Sequence, residues 1–183
     1  MTIQCSVFIA ASVDGYIATL DGGIEWLAKP EYNAAPLSGL TYEAFIASVD
    51  AIVMGRKTFE KVLSFDAWPY QGIQVVVLSS TDLFIPEQLA DAVRHESGRP
   101  SDLVARLASM GMQHLYIDGG VTIQGFLKEG LIDELTITRI PVLLGAGLPL
   151  FGGVSPTQQL TLIEAVASGN GFVQERYKVE RRL

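Results

Sequence analysis

The chain has 183 residues, of which 49% are hydrophobic and 18% charged, and carries a net charge of −7 from 13 basic and 20 acidic side chains. This composition excludes a disordered chain, and the acidic balance argues against a nucleic-acid or membrane-surface binder, because anionic phosphates attract a basic field. One cysteine, Cys5, excludes an internal disulfide and any C-x-x-C site, and two histidines, His95 and His114, exclude a His-rich zinc site.

One domain is expected at this length. A compact fold of 19.8 kDa would expose about 8,600 Å² and bury roughly 70% of the unfolded surface, so a core forms without metal or disulfide staples. No apolar run approaches the roughly 20 residues of a bilayer span. Met1-Thr2-Ile3-Gln4 lacks the basic start and apolar stretch of a signal peptide, so a cytoplasmic location is the expectation.

In chain order, residues 3–11 read as a buried strand, Ser12–Gly15 as a turn, and Tyr16-Ile17-Ala18 as extended again. Leu20–Gly23 is a second turn. Residues 24–40, with Pro30 and Pro36, read as a loop holding at most one short helix. Thr41 caps a helix to about Val49. Ala51–Met54 is a strand, a helix runs from about Thr58 to Leu63, Ile73–Leu78 is a strand, and Ala92-Val93-Arg94 is a short one. Ser101 caps a helix with Leu103, Val104, Leu107 and Met110 on one stripe, stopped by Gly111. Leu115–Ile117 is a strand, followed by a helix carrying Ile123, Phe126 and Leu127. His114, at the strand's start, reads as surface. Leu135–Leu144, Leu160–Val166 and Phe172–Val179 are strands without helices between them. The alternation predicts a mixed α/β fold with a mainly parallel sheet of about eight strands flanked by helices and antiparallel C-terminal strands.

In such sheets ligands bind beyond the carboxyl ends of the strands. Three strand ends carry the right chemistry. At Met54-Gly55-Arg56-Lys57-Thr58 a glycine admits a ligand, two cations follow, and a helix start offers free N–H groups. Leu78-Ser79-Ser80 offers two hydroxyls. Ile117-Asp118-Gly119-Gly120-Val121-Thr122 places a double glycine before a helix, where the amides of 120–123, Ile123 included, can receive phosphate oxygens. Three anion sites at successive strand ends suit an extended ligand with two separated phosphate groups, such as a dinucleotide bearing a 2′-phosphate. Neither G-x-G-x-x-G nor G-x-x-x-x-G-K-[ST] is present.

Six motifs in order carry a resemblance: Ala11–Ala18, Ile24–Leu27, Asp50–Glu60, Val77–Ser80, Ile117–Gly120, and Ile132–Leu135 with Pro141–Gly147. Over nearly its whole length the chain resembles the dihydrofolate reductase superfamily. It is most similar to single-domain relatives of the C-terminal reductase domain of bifunctional riboflavin-biosynthesis (RibD) proteins. The resemblance implies NADPH as cofactor, with the nicotinamide near Ala11, Ile17 and Ala18. It implies phosphate contacts from Gly55, Arg56, Lys57, Thr58, Ser79 and Ser80, and a pyrophosphate on Gly119-Gly120 and the helix from Val121. The chain departs from both parents. The position where folate binders carry an arginine before the strand ending at Leu78 is Ile73, and Thr58-Phe59-Glu60-Lys61 stands in place of a D-[ND]-P-x-L motif.

The expected activity is hydride transfer from NADPH to a C=N or C=O carbon of a small heterocyclic substrate, most like 5-amino-6-(5-phosphoribosylamino)uracil reduction. A proton donor must polarise the acceptor. Candidates are Asp14, Glu31 and Glu43, with Thr138 as a neutral partner and Trp26 over the substrate. Each has a plainer reading: a turn former at Asp14, solvated acids at Glu31 and Glu43, loop-anchoring core at Trp26. Two other readings stay open, a dihydrofolate or pterin reductase and a non-catalytic NADPH-binding homodimer. A plain structural homodimer is a further reading, with the apolar stretch Ile140–Phe151 as its interface.

Overall fold

Ala51, Ile52, Val53 and Met54 are all fully buried. An unbroken apolar run of this kind fits a parallel strand covered on both faces. In the computed structural model, which describes residues 3–153 and 157–180, that run is β3 (Ala51–Gly55). The other strands are β1 (Gln4–Ser12), β2 (Tyr16–Ala18), β4 (Gln74–Leu78), β5 (Val93–Glu96), β6 (His114–Asp118), β7 (Glu134–Ile140), β8 (Leu148–Pro149), β9 (Leu160–Ala167) and β10 (Val173–Val179). Eight of them form one sheet in the order β5-β4-β3-β6-β1-β7-β10-β9, and β2 pairs with β8 alone. The strands from β5 to β7 run parallel. The last two, β10 and β9, are antiparallel. The fold class read from the sequence is the one observed.

Four helices cover the sheet: α1 (Tyr42–Ile46), α2 (Arg56–Leu63), α3 (Pro100–Ser109) and α4 (Gly120–Lys128). Side chains alternate across a strand, so two cores form. On one face Val53, Val76, Leu115, Ile117, Val7, Leu135 and Ile137 pack against Leu103 and Leu107 of α3 and Ile123, Phe126 and Leu127 of α4. On the other, Ile52, Met54, Val75, Val77 and Tyr116 pack against Phe45 of α1 and Phe59 and Val62 of α2. No helix among the described residues is long and apolar enough to cross a membrane.

Several local expectations are corrected. Helix α2 begins at Arg56, not Thr58, because extended Gly55 already serves as its N-cap. Ser101 does not cap α3. Pro100, whose fixed φ suits a first helical position, starts that helix, and the Ser101 amide donates to Glu129 Oε2 at 3.1 Å. Met110 falls at the exposed end of α3, off the buried stripe. Strand β7 stops at Ile140, where Pro141 brings no N–H and Val142 turns back to the Ile140 carbonyl at 2.7 Å. His114 is half-buried rather than surface, with one ring nitrogen 2.8 Å from Ser6 Oγ and the other 2.9 Å from the Ser48 carbonyl. Within Ile140–Phe151, Ile140 and Leu150 are buried, Leu148–Pro149 pairs with β2, and Leu143, Leu148 and Phe151 are exposed.

The topology decides where a ligand can sit. Strands β4, β3, β6 and β1 are parallel neighbours, so their carboxyl ends open side by side at one end of the sheet. The three strand ends singled out above are therefore adjacent, although β6 comes from a later part of the chain.

Candidate active site

The junctions after β3 and β6 interlock. The Thr58 hydroxyl fills the space a β-carbon on Gly119 would take, and Thr122 Oγ1 lies 2.8 Å from where one on Gly55 would be. Gly119 also has φ +89°, a left-handed conformation that favours glycine. The two glycines let the starts of α2 and α4 come together. Neither helix has a side-chain cap, and neither has an acid in its first turn, whereas α1 carries Glu43 and α3 Asp102 there. No acid within either first turn offsets the partial positive charge of the two helix starts, and one carboxyl, Asp118, stands just before the cap of α4. Arg56 and Lys57 are exposed at the start of α2. Arg56 pairs with Glu60 at 3.2 Å across one helical turn.

One amide is removed from this set. Ile123 N–H donates to the Gly119 carbonyl at 2.8 Å and its side chain is buried. Ile123 is therefore core, and the first-turn amides of Gly120, Val121 and Thr122 precede the first intrahelical bond.

Beside β3, Ser79 and Ser80 follow β4, with Gly55 and Leu78 cross-strand partners. Ser79 Oγ is 2.9 Å from the Thr81 carbonyl, and His95 Nε2 is 3.0 Å from the Ser79 carbonyl. Ser80 is exposed. On the other side, β2 and β8 sit over the start of α4. Ile17 Cδ1 lies 3.0 Å from the β-carbon position of Gly120, and Gln124 Nε2 donates to the Pro149 carbonyl at 3.1 Å. Ala11 of β1 and Ala18 of β2 are buried.

Asp118, the last residue of β6, is the group that sequence reasoning missed as an acid. It faces the same side as Tyr116 and lies opposite Met54 of β3. Its Oδ1 accepts one hydrogen bond, from Gly119 N–H at 2.9 Å. Burial pushes its carboxyl from 3.8 up to about 6, against the opposing pull of that bond. Its charge also helps raise the phenols of Tyr42, Tyr70 and Tyr116, after burial. Its signal in the sequence was a carboxylate closing an apolar strand immediately before two glycines.

The three acids chosen from the sequence fare differently. Asp14 is corrected. It accepts from Ser12 Oγ at 2.6 Å, Leu144 N–H at 3.1 Å and Gly145 N–H at 2.7 Å. These bonds, Ser12 first, hold its carboxyl below 3.8. A carboxylate so engaged ties two loops and is a poor proton donor. Glu31 lies exposed in a 3-10 turn at Pro30–Asn33, and Glu43 lies exposed in the first turn of α1, which Thr41 caps through Ala44 N–H at 3.2 Å. The structure does not bring either acid to Asp118 by any described bond. Thr138 sits on β7 between Ala10 and Gln174, and Gln174 holds Leu40 through bonds of 2.8 and 2.9 Å. Trp26 lies in a 3-10 turn at Glu25–Leu27 with its indole N–H buried and unpartnered. The Trp68 indole N–H is likewise buried without a partner.

Two shallow hollows, of about 380 and 530 Å³, lie at the opposite end of the sheet around Ile3, Asp133 and Val179. They share no residue with the junctions above.

The chain has relatives among known proteins. The family model for the RibD C-terminal domain matches residues 4–174. The uncharacterized protein YwjB of Bacillus subtilis is 37% identical over 160 residues, covering 85% of this chain and 87% of that protein. A crystal structure from Shewanella sp. PV-4, of a protein whose name assigns it to riboflavin biosynthesis, is 42% identical with a TM-score of 0.87, covering 98% of this chain and all of that one. Enterococcus faecalis dihydrofolate reductase, in a complex with NADP(H), shares the fold at a TM-score of 0.66 and 16% identity, over 97% of this chain and 96% of its own. The chain belongs to the RibD C-terminal domain family.

Proposed function

We propose that the chain is an NADPH-dependent reductase acting on a C=N or C=O carbon of a small heterocycle. The substrate class is that of 5-amino-6-(5-phosphoribosylamino)uracil. The family and the name of the Shewanella relative support the riboflavin-pathway side of this reading. One observation carries it: two helix starts without side-chain caps and one buried carboxyl meet at the adjacent ends of β3 and β6.

The residues present fit the cofactor. The glycines at 55, 119 and 120 let Thr122, Thr58 and Ile17 close onto the backbone there, and a pyrophosphate would rest on the amides of Gly120, Val121 and Thr122 at the start of α4. Arg56, Lys57, Thr58, Ser79 and Ser80 would hold the 2′-phosphate end, where a guanidinium gives bidentate contacts. Ile17, with Ala11 and Ala18, would flank the nicotinamide. When bound, NADPH supplies the hydride. Asp118 holds a proton near pH 6 and would hydrogen-bond the substrate's nitrogen or oxygen. Trp26 would donate its free indole N–H to the same substrate, and Thr138 would line its far side.

The pterin reading is disfavoured by Ile73, which packs on the core where a folate tail needs a cation. A non-catalytic cofactor-binding module would keep the helix starts and lack turnover. Titrating NADPH while following Trp26 and Trp68 fluorescence tests binding. Following NADPH oxidation with 5-amino-6-(5-phosphoribosylamino)uracil tests turnover. Quenching with turnover supports the proposal; quenching without turnover on that substrate or a pterin overturns its catalytic half, and no quenching overturns it whole.

A further inference from the structure

Between β2 and α1 the chain runs through residues 19–41 without a strand or an α-helix. That exceeds the roughly 12–15 residues beyond which an irregular connection is usually functional. The segment carries Trp26 and Glu31 and ends on the cap of α1. Its own backbone bonds are local, such as Leu27 N–H to the Ile24 carbonyl and Ala34 N–H to the Glu31 carbonyl. Among the described residues, every hydrogen bond from residues 24–40 to a distant part of the chain ends on residues 168–174, the turn between β9 and β10 and the start of β10. Asn170 Nδ2 donates to the Tyr32 carbonyl at 2.8 Å, and Ser38 N–H donates to Ser168 Oγ at 2.9 Å. Gln174 makes the other two bonds. Its Oε1 accepts from Leu40 N–H at 2.8 Å, and its Nε2 donates to the Leu40 carbonyl at 2.9 Å.

We propose that Gln174 is a positioning residue for the substrate side of the site: it fixes the segment that carries Trp26 relative to the strand that carries Thr138. This inference rests on the reading of Trp26 and Thr138 as substrate contacts. Gln174 is the cross-strand partner of Thr138, so the attachment lies beside that wall. One amide side chain satisfies both backbone groups of Leu40, as a neighbouring strand would. Gln174 is 6% exposed, and a buried amide stripped of its partners is costly, so this arrangement is strongly specified. Gly39 has φ +94°, and Gln174 Oε1 lies 2.5 Å from where a β-carbon on Gly39 would be. The backbone at 39 comes that close only because glycine stands there. Phe172 adds an edge-to-face contact with Tyr32, ring centroids 4.9 Å apart. No described bond links Gln174 to Asp118 or to the starts of α2 and α4, so it acts on the substrate wall and leaves the cofactor's helix starts alone.

Gln174→Met removes both bonds at nearly the same side-chain length, and Gln174→Glu keeps an acceptor for Leu40 N–H while losing the donor. In the full chain, steady-state kinetics with NADPH and 5-amino-6-(5-phosphoribosylamino)uracil are measured beside NADPH titration and amide hydrogen exchange. In Gln174→Met the Leu40 amide is expected to exchange faster, and kcat/KM for the heterocycle to fall by about tenfold or more, mainly through KM. NADPH affinity is expected to stay close to the parent's, and Gln174→Glu to fall between parent and Gln174→Met. A residue that only stabilises the fold would lower the melting temperature and leave that KM alone. An unchanged KM with a freely exchanging Leu40 amide therefore overturns the proposal. An unaltered protein that oxidises NADPH with no heterocycle overturns the reading of the function and this inference with it, a result told apart because the parent, not the variant, is silent. Should Gln174→Met fail to fold, Ser168→Ala, which removes only the bond to Ser38, decides by the same readings.

Discussion

The Thr58 hydroxyl occupies the place a side chain on Gly119 would need, and this contact sets how closely α2 and α4 begin to one another. Gly119→Ala therefore carries two burdens. A non-glycine residue at φ +89° costs about 1–3 kcal/mol, and the overlap with Thr58 adds to it. Thermal unfolding is expected to move down by roughly 2–4 °C per kcal/mol. Adding Thr58→Ala removes the overlap and leaves the backbone cost, so the double variant melts above Gly119→Ala alone. Strictly additive losses in this cycle would show that the two residues do not couple.

Arg56 is held by Glu60 when no anion is near. An exposed pair of this type contributes little, so a phosphate can displace the carboxylate. Arg56→Ala is expected to weaken NADPH by about 10- to 100-fold, as for loss of a charge-assisted bond, with NADH little changed. Glu60→Ala frees the guanidinium and tightens NADPH modestly. Calorimetric titration of both cofactors checks this. An equal loss for NADPH and NADH would mean that Arg56 does not meet the 2′-phosphate.

The sheet was legible because its signals are local. Apolar runs such as Ala51–Met54 and Val75–Val77 announce buried strands, and Gly119-Gly120 marks a tight junction. The parallel order brought three such junctions together, as the alternation of elements implied. What escaped were contacts that close over distance. Asp14 read as a turn former and possible acid, yet its partners Leu144 and Gly145 lie some 130 positions away. Asp118 read as part of a turn, because nothing in the sequence shows that its carboxyl is buried within electrostatic reach of Tyr42, Tyr70 and Tyr116. His114 looked like surface until Ser6 and Ser48 arrived from other elements.

Asp14→Ala should act on the loops and not on the chemistry. Its folded pKa lies below 3.8, so its contribution to stability is present above that value and fades as pH falls through the lower folded value. At neutral pH the variant is expected to lose protection at the amides of Leu144 and Gly145 in hydrogen exchange. The pH dependence of turnover is expected to keep its shape. A displaced inflection in that profile would return Asp14 to the list of acids.

Asp118→Asn separates stability from activity by pH. The folded pKa is raised from 3.8 to about 6. Between those values the folded chain holds a proton that the unfolded chain has released, so stability falls as pH rises through that window and stays lower above it. A shift of this size corresponds to about 2–3 kcal/mol. The amide keeps an oxygen to accept from Gly119 N–H and never ionises, so the variant is expected to melt higher than the parent at pH 8 and near it at pH 4. Turnover in the variant is expected to drop by about 10²–10⁴-fold, the usual contribution of a positioned proton donor, and to lose its inflection near pH 6. NADPH affinity is expected to stay close to the parent's, since no phosphate rests on that carboxyl. A variant that turns over normally with the same pH profile would leave Asp118 a buried structural acid, and the proton would have to come from elsewhere in the cleft.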